Sequence, residues 1–176
     1  MPSGPFFSIA SGAIPGGFDH APPGGVCVST FLFVRDARGR VLLGRYADDP
    51  RWRDLVGLDA ERIRHHARGW TVPASHNKVG EDPRDAARRI AREILGLDGL
   101  AFDEPRVATE TYELARLPGE RHFDVLLLVG ATAPDAGVRT PPWYAELAWH
   151  DLPALPRSAF GRGHEDVVAH WIRLHP

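Results

Sequence analysis

The 176-residue chain is poor in the features that mark disulfide scaffolds, membrane spans and polyelectrolyte surfaces. It has one cysteine, Cys27, so no internal disulfide can form, and a reducing, cytoplasmic setting is the expectation. Lys78 is the single lysine; the other basic residues are arginines, and 23 acidic residues leave a net charge of −2. That balance gives no electrostatic grip on nucleic acid or on an acidic membrane. No apolar run approaches the roughly 20 residues that cross a bilayer. A charged segment followed by an apolar one, the mark of a secretory leader, is missing too, and no internal repeat is visible. What remains is ordinary for a soluble globular protein: 43% apolar, 25% charged, and long enough for one domain with a sizeable core.

Residues 1–25, rich in Gly, Pro and Ser, read as an extended, loosely ordered arm, and residues 26–176 as the domain. The run VCVSTFLFV over 26–34 predicts a strand, a turn at 36–39 follows, and VLLGR over 41–45 returns as the second arm of a hairpin. Residues 46–69 form a polar insert with one short helix expected over 59–66. Such inserts often serve as binding loops or lids. A short strand is expected over 70–73 and a loop over 74–80. Asp82 and Pro83 suit a helix start and Gly96 a left-handed stop. Strands are expected over 106–114, 121–132 and 145–149, and a closing helix over 165–174 with Val167, Val168, Trp171 and Leu174 on one face. The pattern is α+β, a mixed sheet between helices.

The stretch WTVPASHNKVGEDPRDAARRIAREILGL, residues 70–97, resembles a Nudix box. Glu81, Arg89, Glu93, Gly96 and Leu97 fall in the box register, while Ser75 replaces its first Gly and Ile90 and Ile94 replace two of its Glu residues. The segment 145–156 is similar to the family's closing segment. The resemblance implies an α/β/α sandwich, with Glu81 and Arg89 tying the box loop to its helix.

In Nudix hydrolases a diphosphate bond is cleaved with a divalent cation held by Glu side chains on one helix face. Positions four apart share such a face, and here both are Ile, which cannot ligate. Restoring Glu at 90 and 94 would strengthen Mg²⁺ binding if that face still lined a metal site. His76 stands where isopentenyl diphosphate isomerase, a Nudix relative, has a metal-binding His; that branch also uses alternate positions of a later strand, comparable to His122 and Asp124. Two residues apart, these share a strand face. The isomerase's Cys position is Ala74, which speaks against isomerase activity. GDP-mannose hydrolases likewise lack the Glu after the Arg and still act.

On this resemblance Glu93, Glu81 and His76 are the catalytic candidates, and Glu93, His76, His122 and Asp124 the metal candidates, for Mg²⁺ or Mn²⁺ before Zn²⁺. Arg45, Trp52, Ser75 and Lys78 are the substrate-binding candidates, Arg45 for phosphate and Trp52 for ring stacking. Trp70 reads as core, Tyr112 and Trp143 as further rings, and Cys27 as a small core residue. The implied ligand is a diphosphate-linked small molecule, such as a nucleoside diphosphate derivative or nucleotide sugar, with neither nucleic acid nor membrane as partner. A homodimer accords with the family's habit. Two other readings stay open: a catalytically silent module that binds a nucleotide or metabolite, and a Nudix fold redirected to non-hydrolytic chemistry.

Overall fold

A computed structural model describes residues 8–9, 26–58, 60–113, 121–133, 137–161 and 163–175. The described strands are β1 (Ser8–Ile9), β2 (Val26–Arg35), β3 (Val41–Tyr46), β4 (Ala74–His76), β5 (Ala101–Phe102), β6 (Arg106–Glu113), β7 (Arg121–Thr132) and β8 (Tyr144–His150). The helices are α1 (Arg51–Val56), α2 (Ala60–His66), α3 (Pro83–Arg89) and α4 (His164–Leu174). The described strands form one mixed sheet in the order β5-β7-β2-β3-β8, with β1 and β4 also pairing with β2, and β6 with β7.

The two longest strands, β2 rich in β-branched residues and β7 in Leu, pair in parallel at the centre, from Val26 opposite Phe123 to Arg35 opposite Thr132. Side chains alternate across a strand, so β2 feeds two cores. Leu32 and Val34 join Val129, Ala131, Ile90 and Ile94 on the face covered by α3. Phe33 joins Leu126, Leu128, Val167, Val168 and Trp171 on the face covered by α4, its ring stacked on Trp171 at 4.1 Å. This is the expected sandwich.

The box helix starts as its sequence requires: the Asp82 carboxylate accepts from the Arg84 N–H at 2.8 Å, and Pro83 opens the first turn. A regular helix to Leu95 was expected. Instead the turn over Ile90–Ile94 widens to π geometry, with the Leu95 N–H donating to the Ile90 carbonyl. Gly96 then takes the left-handed φ of 67° that ends it.

Three expectations change. The segment 70–73 makes only isolated bridges, Trp70 to Phe160 and Thr71 to Gly44, and the strand begins at Ala74. The insert holds two helices rather than one, and Trp52, Val56, Leu58 and Ile63 sink into the core, so it is a packed wall. Within the arm, Ser8–Ile9 pairs with Val26 and Cys27; the rest of 1–25 lies outside the described residues.

Candidate functional site

The box loop is built around one ion pair. Arg89 Nε donates to Glu81 Oε1 at 2.7 Å and Nη2 to Oε2 at 2.9 Å, with both side chains almost wholly buried. Arg89 also donates to Ser75 Oγ and to the His76 carbonyl, and Glu81 accepts from the Lys78 N–H. Burial pushes the Glu81 carboxyl up, but Arg89 and the Lys78 amide outweigh it and hold it below its ordinary 4.5. Glu81 and Ser75 therefore brace the loop, Ser75 also lining the cavity described below, and Lys78 contributes its backbone.

The rest of the box helix is not arranged as a cation site. Ile90 and Ile94 are 0% and 1% exposed, packed in the core. Glu93 points to solvent from the widened turn and is not among the residues lining the cavity described next.

A cavity of about 420 Å³ lies at the end of the sheet, on the α4 face. β2 contributes Cys27, Ser29 and Phe31, the alternate positions that lead to Phe33. β7 contributes His122, Asp124 and Leu126 by the same alternation, and β6 contributes Glu110, which sits opposite Asp124 in register. β4 pairs with β2 over Ser29–Phe31, which brings His76 beside Ser29. The insert closes the cavity with Val56, Leu58, Arg62 and His66, and α4 with His164, Asp166 and Val167.

Cys27, His122 and Asp124 each offer one donor atom, and these atoms lie within 4.8 Å of one another. His122 is 1% exposed, and its Nε2 lies 3.1 Å from Asp124 Oδ1. Burial raises the Cys27 thiol, but hydrogen bonds and charge from His122 and His76 more than offset this and bring it from 9.0 to about 7. Glu110 behaves oppositely. Burial raises its carboxyl, and Asp166 and Asp124 add to this against the opposing pull of His170, whose Nε2 lies 2.9 Å away. Sulfur, imidazole and carboxylate donors suit a transition cation such as Zn²⁺ or Fe²⁺; hard Mg²⁺ prefers oxygens alone.

The structure thus brings His76, His122 and Asp124 together and leaves Glu93 and Glu81 elsewhere. It adds Cys27, which sequence reasoning treated as core. The available signal was its place two residues before Ser29 on a strand whose odd positions face one way; its partner strand was not visible. Trp52 is corrected outright. It is 0% exposed, stacked on Tyr46 at 3.6 Å, and its Nε1 donates to the Trp143 carbonyl, so it is a core ring. Arg45 lies over the Trp70 ring at 4.5 Å, outside the cavity lining, and Trp143 Nε1 caps the Ile94 carbonyl. The Tyr112 side chain lies outside the described residues.

Sheet order, box loop and box helix together define a Nudix fold. No family profile matches the chain. It is similar, at 30% identity over 147 residues, to an RNA pyrophosphohydrolase of Gluconacetobacter diazotrophicus, with 76% of this chain and 81% of that protein covered. Among solved structures it resembles a MutT protein from Methanosarcina mazei Go1, with a TM-score of 0.58 at 14% identity over 85% of this chain and 95% of that one. It also resembles the NUDIX domain of Shewanella oneidensis NrtR, solved with ADP ribose, with a TM-score of 0.57 at 11% identity over 93% and 94% of the chains. The chain belongs to the Nudix hydrolase family. No described helix is long and apolar enough to cross a membrane.

Proposed function

We propose that the protein hydrolyses a diphosphate-linked small molecule in the cavity at the end of the sheet, using a divalent transition cation held by Cys27, His76, His122 and Asp124. The observation that carries this reading is the convergence of thiol, imidazole and carboxylate donor atoms within 4.8 Å in a cavity of substrate size. A similar RNA pyrophosphohydrolase supports hydrolysis as the reaction class.

Such a cation, when bound, neutralises phosphate oxygens and lowers the pKa of water. The chain's own groups do the rest. Asp124 orients the His122 ring through its Oδ1. Glu110, raised by burial, keeps a proton to a higher pH than an exposed carboxyl and can supply it to the departing phosphate. Tyr46, Val56 and Leu58 give an apolar wall for the group attached to the diphosphate. Hydrolysis adds one water across the P–O–P link: one P–O bond forms, one breaks, and a proton is released.

The test is metal analysis of the purified protein, then detection of the two phosphomonoester products from a panel of nucleoside diphosphate derivatives. Zn²⁺, Fe²⁺ or Mn²⁺ should support turnover that His122→Ala abolishes, with metal affinity falling at least tenfold in Cys27→Ala. Turnover with Mg²⁺ that is indifferent to Cys27 and His122 would sink this assignment. The buried Ile pair on the box helix supports a second reading, non-hydrolytic chemistry in the same cavity; conversion of a diphosphate with its P–O–P link intact would select it.

A further inference from the structure

The floor of the cavity is a ladder of three rungs, set by the parallel register of β2 and β7. Cys27 lies opposite Asp124, Ser29 opposite Leu126, and Phe31 opposite Leu128, all on the α4 face. The first rung carries the thiol and carboxylate donors, with His122 close by. The third carries only a ring and an aliphatic chain, and Tyr46, Val56 and Leu58 continue that apolar lining. Ser29 stands between the two ends, with His76 opposite it on β4.

The hydroxyls nearest to it in the sheet are committed to the fold. Thr30 Oγ1, on the opposite face, donates to Asn77 Oδ1 at 2.8 Å, and Ser75 Oγ donates to the His76 carbonyl at 3.2 Å and accepts from Arg89. Ser29 is half-buried and lines the cavity, and among the described residues no group hydrogen-bonds to its Oγ. That hydroxyl is a donor placed where the polar lining gives way to the apolar. Two residues of a parallel strand rise about 6.6 Å. A cation–oxygen bond of about 2 Å and one P–O–P link together cover that rise. A diphosphate whose first phosphoryl group sits on a cation at the first rung therefore brings its second to Ser29. The reverse orientation would leave phosphoryl oxygens against Phe31 and Leu58 without a donor.

We propose that Ser29 is a specificity-determining residue whose hydroxyl donates to the second phosphoryl group of the ligand. The ligand then lies along β2, with its cation-held phosphoryl group at Cys27 and the group attached to the diphosphate at Phe31. This rests on the reading of the cavity as a diphosphate site and adds to it a direction and a reason to prefer two linked phosphoryl groups over one.

The experiment is calorimetric titration of the zinc-loaded full chain, freed of excess metal, with two probes. Methylenediphosphonate has two phosphoryl groups on a P–C–P link that water cannot cleave, and methylphosphonate has one. Ser29→Ala should weaken the diphosphonate about tenfold and leave methylphosphonate nearly unchanged, because a single phosphoryl group stays on the cation. Ser29→Thr, which keeps the hydroxyl on a side chain suited to a strand, should recover most of the loss. Equal diphosphonate affinity in wild type and Ser29→Ala would overturn the assignment while the diphosphate reading stands. An equal loss for both probes would also overturn it, since a disturbed fold or metal site gives that result. If the wild type takes up no zinc or binds neither probe, the diphosphate reading of the cavity falls and the role of Ser29 falls with it.

Discussion

The two faces of the central sheet hold the same kinds of residue to different purposes. On the α3 face, the box keeps the buried Arg89–Glu81 pair and has Ile90 and Ile94, both packed in the core, at two positions where the family pattern has Glu. On the α4 face, Cys27, His122 and Asp124 converge in a cavity, with His76 hydrogen-bonded to the thiol. One face keeps the motif's ion pair with Ile at two of its Glu positions; the other gathers a thiol, an imidazole and a carboxylate outside the motif. The motif's ion pair thus has a folding role of its own. A buried ion pair that loses one partner leaves an uncompensated charge, and this resists its removal regardless of function.

Substitutions can sharpen that contrast. The largest effect is expected from Ile90→Glu, which should not rebuild a cation site. It would bury a carboxylate among Leu32, Val34 and Ala131 and cost about 5 kcal/mol at neutral pH; urea melts with and without Mg²⁺ would show it. A gain in Mg²⁺ affinity at little cost would mean that the α3 face still lines a metal site.

Arg89→Ala should cost about 4 kcal/mol in the same melts. The Glu81 carboxyl makes part of this pH-dependent. Its folded value is depressed, so its contribution is complete above 4.5 and is lost as pH falls through the lower value. Glu81→Gln should flatten the acid limb of the stability profile below pH 4.5; an unchanged limb would place the acid sensitivity elsewhere.

On the α4 face, alkylation of Cys27 in metal-free protein should rise with a midpoint near pH 7, since the thiol sits at about 7. A midpoint near 9 would detach the thiol from the imidazoles. The smallest effect is expected from Glu93→Gln. The residue is exposed, so stability should move by no more than about 0.5 kcal/mol, and metal affinity should not change. A lost metal would return the centre to the box helix.

Much of the fold was visible in the sequence where local chemistry decides it. The strand over 121–132, the Asp82–Pro83 start and the Gly96 stop are local signals, and the structure repeats them. The site was visible in part. His76, His122 and Asp124 came from family resemblance and alternation. Cys27 was hidden because a thiol among Val, Ser and Phe reads as core, and because only the parallel pairing of Cys27 with Asp124 reveals its neighbours. Trp52 misled for the opposite reason. The insert looks polar along the chain, but Trp52, Val56 and Ile63 point one way and sink into the α3 core.

The parallel register of β2 and β7 also governs when the cavity comes into being. Parallel strands cannot meet through a tight turn, and the hairpin, insert, box and β6 all intervene here. Closing so long a loop is slow and entropically costly. A chain interrupted before β7 would carry a complete box loop and only Cys27 and His76 of the cluster, because neither His122 nor Asp124 would yet exist. A ligand of that cluster therefore meets only the finished sheet, and its binding energy adds to the stability of the native state alone.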